Sequence, residues 1–179
     1  SVAVLVATLL IVLAPAGQVQ ADTSAPVTVY YNRACGDCLQ YIEETVVPLL
    51  EEAGYTNIAY RDYVNEPDNR KALLARSDEL GVPPNLQSHL TVFVGERLIL
   101  EGHIPEHVII DLLNAPQDAF ERMVVYQDKM SGATEYEAWA FRGEPKTYPI
   151  DAPIGRYVDY LEEEGKALSA PVAAGIERE

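Results

Sequence analysis

The stretch Val27-Thr28-Val29-Tyr30-Tyr31-Asn32-Arg33-Ala34-Cys35-Gly36-Asp37-Cys38 carries the only two cysteines of the 179-residue chain. Its first five residues are β-branched or aromatic, a composition that fits a pleated, buried strand. From Asp37 the apolar positions change period. Cys38, Ile42, Val46 and Leu49-Leu50 recur at three- and four-residue steps, which marks one buried face of a helix. The cysteine pair therefore sits where a strand turns into a helix. The first turn of a helix has unpaired backbone N–H groups and the positive end of the dipole. A thiolate placed there is stabilised, so its pKa falls and it becomes a usable nucleophile.

Three readings of the pair are open at this point. In a redox couple, Cys35 attacks a disulfide and Cys38, on the buried face, resolves the mixed disulfide. In a metal site, the two thiolates join imidazole to hold Cu(I) or Zn(II). As a structural staple, the bridge closes so short a loop that it adds little stability. Asp37, between the cysteines, opposes ionisation of Cys35. A less stabilised reduced form implies a lower reduction potential, which suits a reductant or an isomerase.

Downstream, Asn57 to Val64 reads as a second strand and Glu66-Pro67-Asp68 opens a helix that carries Leu73, Leu74 and Leu80. Gly81-Val82-Pro83-Pro84 closes it. Leu90 to Val94 and Arg97 to Leu100 are short strands around Gly95-Glu96, a link that implies an antiparallel pair. Pro105 fits the first position of a helix with Val108, Ile109, Leu112 and Leu113 on its apolar face. The order is β-α-β-α-β-β-α: a parallel pair joined by a crossover, then a hairpin, in a mixed sheet covered by helices. After Pro116, Phe120 to Lys129 and Glu135 to Phe141 read as a β-hairpin. Pro149 and Pro153 then mark a loop, and Gly155 to Lys166 a helix.

The order of elements together with the placement of Cys35-Gly36-Asp37-Cys38 resembles the thioredoxin-like superfamily over about half of the chain. That resemblance implies an α/β fold and thiol–disulfide exchange on a protein disulfide substrate or redox partner, with no cofactor required. Such proteins place a cis-proline before the third strand, facing the cysteines. Here that place is taken by His89 or Leu90, and Pro83-Pro84 lie several residues earlier. Gly36, Asp37, Pro84, His89 and Leu90 are then the residues expected to line the site.

All three histidines fall in one stretch, as His89, His103 and His107. Gly81-Val82-Pro83, Ser88-His89 and Glu101-Gly102-His103-Ile104-Pro105 resemble a narrower family of small secreted thioredoxin-like proteins regarded as metal-binding and often associated with copper handling. That family carries a cysteine before its histidine, and here Ser88 is followed directly by His89. The resemblance implies copper or zinc held by Cys35, Cys38 and His89, with His103 as a further candidate. On the plainer reading, His103 holds the turn before the third helix and His107 is exposed to solvent. A third class is an interaction module, with the extension as its binding surface and the cysteine pair as a remnant.

The net charge of −15, with only 13 Lys and Arg, excludes a nucleic-acid surface built on clustered phosphate contacts. The apolar run Val2 to Ala16 is short for a membrane span, and Val19-Gln20-Ala21 suits a signal-peptidase cut. The expected organisation is a leader over 1–21, shortened at its N-terminus, and a thioredoxin-like domain over 22–116. A β-hairpin and helix extension over 117–168 and a loose tail over 169–179 complete it. The expected location is secreted or periplasmic, where disulfides persist, with membrane contact only through an uncleaved leader.

Overall fold

The computed structural model describes residues 23–169, with side chains as far as 165. The expected leader, and the tail beyond Ser169, lie outside the described residues. Strand β1 (Val27–Tyr31) leads into α1 (Gly36–Tyr41), which runs through a π-helical turn (Ile42–Val46) into α2 (Val47–Glu52). Strand β2 (Ile58–Asp62), helix α3 (Pro67–Leu80), a 3₁₀ turn (Pro84–Leu86), β3 (Thr91–Val94), β4 (Leu98–Gly102) and α4 (Glu106–Asn114) follow. Then come β5 (Met123–Gln127), β6 (Glu135–Trp139), β7 (Lys146–Pro149) and α5 (Gly155–Ser169).

The strands form one seven-stranded sheet in the order β2-β1-β3-β4-β5-β6-β7. β1 pairs parallel with β2 and antiparallel with β3, and β3 and β4 form the expected antiparallel hairpin. This mixed α/β arrangement is compatible with a thioredoxin-like fold. The extension does not stand apart: β5 pairs parallel with β4, from Leu98↔Met123 to Gly102↔Gln127, so the sheet continues into it. It also holds a third strand where the prolines suggest a loop. β7 lies at the sheet edge and ends on Pro149, where a missing N–H costs no ladder bond.

Alternation along the strands separates two cores. On one face Val92, Val94, Leu98, Leu100, Met123 and Val125 meet Ile42, Val46 and Leu50, the α4 residues Val108, Ile109 and Leu112, and the α5 residues Tyr157 and Leu161. On the other, Tyr30, Phe93, Ile99 and Val124 meet Leu73 and Leu80 of α3. Leu74, counted above with the α3 apolar residues, instead points to solvent at 51% exposure.

Along the first helix the buried residues Cys38, Ile42, Val46 and Leu50 recur at strict four-residue steps. At 3.6 residues per turn such a repeat drifts by about 40° per step. The π-turn widens the helix and reduces that drift: the Val47 N–H donates to the Ile42 carbonyl, five residues back. Pro48, which has no N–H to give, follows at once. The helical rod thereby keeps Cys38 in line with the core residues below it. Pro105 caps α4 one position earlier than its sequence context suggests, its carbonyl accepting from the N–H groups of Val108 and Ile109.

Candidate functional site

The chain leaves β1 through a turn fixed by Asn32. Its side-chain oxygen accepts from the Ala34 N–H at 2.9 Å, and its carbonyl accepts from the Cys35 N–H at 3.0 Å. Cys35 is thereby delivered to the N-cap of α1, where its sulfur accepts from the Cys38 N–H at 3.2 Å. The two cysteines form a disulfide. Cys35 is half-buried and Cys38 wholly buried, the asymmetry of an accessible sulfur backed by a protected one. Gly36 and Asp37 are exposed, and a Cβ on Gly36 would meet nothing, so the turn itself does not demand glycine there.

His89 is the residue that faces the sulfurs. Its ligand nitrogen and the sulfurs of Cys35 and Cys38 all lie within 4.8 Å of one another. His89 precedes Leu90 and β3, where the thioredoxin-like resemblance puts a cis-proline; among the described residues no peptide bond is cis. Leu90, the next residue, is wholly buried in the larger core. Pro84 is exposed and opens the 3₁₀ turn, and it is not among the three grouped donors.

Asp128, just past the end of β5, orients the imidazole. Its Oδ1 lies 2.7 Å from His89 Nδ1 and also accepts from the Ser88 hydroxyl. Burial works to raise the Asp128 pKa, but the hydrogen bonds from Ser88 and His89 outweigh it and hold the carboxyl below its ordinary value. An ionised carboxylate only accepts, so the neutral ring carries its proton on Nδ1 and keeps its lone pair on Nε2. That Nε2 atom is buried and has no hydrogen-bond partner. Serine, histidine and aspartate thus meet here, though no such arrangement is visible in the sequence. Both Ser88 Oγ, at 3.2 Å, and Asp128 sit at the same ring nitrogen, so they form no nucleophile–base relay.

The last two residues of β4 and the one that follows support this corner. Glu101, fully buried, accepts from the Ser88 N–H at 2.9 Å and the Thr91 hydroxyl at 2.8 Å. Burial pushes its pKa up to about 8 against those two hydrogen bonds, with the Asp128 charge adding to the rise. Gly102 has φ 88°, and a Cβ there would lie 2.0 Å from the Gln127 carbonyl oxygen, so only glycine lets β5 pass this close. His103 is held as a turn residue by its backbone: its N–H donates to the Gln127 carbonyl at 2.8 Å and its carbonyl accepts from the Gln127 amide at 2.7 Å.

The His103 ring packs at a tilt against Tyr41, with centroids 4.7 Å apart, and against His89 at 5.2 Å. Both of its nitrogens are buried, and no hydrogen bond of proper geometry reaches either. Burial, with His89 beside it, lowers its pKa below the ordinary value, while Asp128 and Asp37 pull the other way. His103 stands next to the sulfur–imidazole group but outside the set of three converging donors. His107 is exposed and reaches the Ala152 carbonyl at 3.3 Å, which ties α4 to the segment before α5. An open groove of about 500 Å³ runs from Asp37 past Tyr41 and His103 to Glu106 and Met130.

Two sulfurs and an imidazole nitrogen make a donor set for a soft or borderline metal ion. The orphaned Nε2 and the carboxylate on Nδ1 match how metal-binding histidines are held in place. The cysteine pair is closed as a disulfide, so its thiolates become donors only after reduction.

No protein-family model matches the chain, and no characterised protein matches it in sequence. Two solved structures resemble the chain at low similarity. Copper resistance protein CopG, form 1, is 20% identical with a TM-score of 0.44, covering 70% of this chain and 98% of its own. Form 2 is 21% identical with a TM-score of 0.43, covering 69% and 98%. At these scores the likeness assigns no function to this chain.

Proposed function

We propose that the reduced protein binds a soft metal ion, Cu(I) foremost, through Cys35, Cys38 and His89. The observation that carries this reading is the convergence of the three donor atoms within 4.8 Å, with the third fixed by Asp128. Thiolates select Cu(I) or Zn(II), and a structural zinc site takes a closed tetrahedral set. Three converging donors suit Cu(I) better. The metal would supply the bonds that tie the two thiolates to the imidazole. The chain's own residues orient the His89 ring through Asp128 and keep Cys38 away from water. The proposed location is extracytoplasmic, in line with a closed disulfide. No helix among the described residues is long and apolar enough to cross a membrane.

Anaerobically reduced protein, titrated with Cu(I) against a chromogenic chelator, is expected to take up one equivalent, and the oxidised protein none. Loss of an outer partner of a ligand costs about 10–100-fold in affinity, so His89→Ala should cost at least about 100-fold. Uptake unchanged in His89→Ala overturns the reading.

The closed Cys35–Cys38 bond and the exposure difference between its sulfurs favour a second reading, thiol–disulfide exchange. Cys35 thiolate attacks a substrate disulfide and releases one substrate thiolate. Cys38 then attacks the Cys35 sulfur and releases the other. The substrate gains two electrons and the pair returns to the disulfide, to be reduced again by a dithiol donor. Turnover of a protein disulfide with such a donor, lost in Cys35→Ser and kept in His89→Ala, would favour this reading over the first.

A further inference from the structure

We infer that Glu101 is a positioning residue that locks the loop carrying His89, in the place where thioredoxin-like folds use a cis-proline. The inference rests on His89 being the third donor of the proposed site. Ser88 to Leu90 is a stretch of plain trans backbone ahead of β3, with no proline to stiffen it. It is fixed from the neighbouring strand. One oxygen of the Glu101 carboxyl takes the Ser88 N–H on one side of His89 and the Thr91 hydroxyl on the other. The His89 carbonyl accepts from the Tyr63 hydroxyl at 3.1 Å, and the Leu90 carbonyl from the Gly102 N–H at 2.7 Å.

Glu101 is 0% exposed, and its other oxygen has no partner. A leucine in this position would extend the apolar pattern of Leu98-Ile99-Leu100 and bury no polar group. A fully buried, half-satisfied carboxyl at a strand end is a cost to the fold. The geometry shows what that cost secures: both flanks of His89 are held by one rigid side chain. Asp128 then sets the ring, and Glu101 sets the backbone from which the ring projects.

The test uses the whole chain, with Glu101→Leu, Glu101→Gln, Thr91→Val and His89→Ala. In the reduced, metal-free protein, amide exchange at Ser88 should speed up at least about 10-fold in Glu101→Leu, since an amide released from its partner opens locally. Exchange at Val92 and Leu100 should stay as in the wild type. Glu101→Gln keeps a carbonyl oxygen and should restore Ser88 protection, while Thr91→Val should give a smaller loss. Cu(I) affinity should fall by about 10–100-fold in Glu101→Leu. Addition of Glu101→Leu to His89→Ala should cost nothing more, because the lock acts only through His89.

Unchanged Ser88 exchange in Glu101→Leu overturns the inference. So does a second, additive loss of affinity in the double variant, or failure of Glu101→Gln to restore protection. If wild type and His89→Ala bind Cu(I) equally, the metal reading fails, and the exchange data still decide whether Glu101 locks the loop. Should Glu101→Leu fail to fold, Thr91→Val and Glu101→Gln carry the same comparison.

Discussion

Asp128 and His89 come from positions 39 residues apart and meet at 2.7 Å, the carboxylate against Nδ1. The pairing turns a half-exposed loop histidine into an oriented donor with its free nitrogen buried. Asp128→Ala is expected to weaken Cu(I) binding by about 10–100-fold while the thermal midpoint stays close to wild type. Chelator competition and a melting curve on the same preparation measure both. Equal affinity with and without the carboxylate would remove Asp128 from the site.

Glu101 makes stability depend on pH. Its folded pKa is raised to about 8, chiefly by burial, whereas an unfolded glutamate titrates near ~4.3. Between those values the folded protein keeps a proton that the unfolded chain has lost. Its contribution is therefore fully present below the unfolded value and falls as pH rises towards 8, by about 1.4 kcal/mol per pH unit. The difference in urea midpoint between wild type and Glu101→Gln should fall across that window. Parallel profiles would show that Glu101 is ionised in the folded state.

Gly102→Ala should be among the most damaging small substitutions. The added Cβ meets the Gln127 carbonyl oxygen at 2.0 Å, and the backbone is at φ 88°. A cost of about 3 kcal/mol or more is expected from strain and the forced parting of β4 and β5. Chemical denaturation measures it, and a cost under about 1 kcal/mol would contradict the close approach.

Ile42 and Leu74 are both apolar residues of helical segments, and the structure separates them. Ile42 is 1% exposed in the larger core, and Leu74 is 51% exposed. Ile42→Ala should cost about 2–5 kcal/mol. Leu74→Ala should fall within about 0.5 kcal/mol of wild type. Comparable losses in the two variants would mean that the α3 face is covered in solution.

The placement of the cysteines was legible because β-branched residues before Asn32 and a four-residue period after Asp37 are both local signals. His89 was legible for the same reason: it stands directly before a strand whose position is plain. Asp128 was not, because its role depends on β5 pairing parallel with β4, a non-local choice that no short pattern encodes. Glu101 is visible in the sequence only as part of the Glu101-Gly102-His103-Ile104-Pro105 motif, and its buried role is not. A charge at the end of Leu98-Ile99-Leu100 reads as the start of a turn, yet the strand runs on through Gly102 and buries it. β7 was missed because Pro149 signals a loop, and only its place at the sheet edge makes that proline harmless.

The unbroken sheet bears on how the chain can be divided. A fragment cut at Pro116 would keep both cysteines and all three histidines, and from its sequence it looks like a complete unit. It would also strip β4 of its neighbour and leave a row of bare N–H and C=O groups beside Leu98, Ile99 and Leu100. Such an open, apolar margin is a template for stacking onto other chains. The shortened protein is expected to aggregate in light scattering. The extension then serves the fold as the cover that keeps this sheet from recruiting strangers.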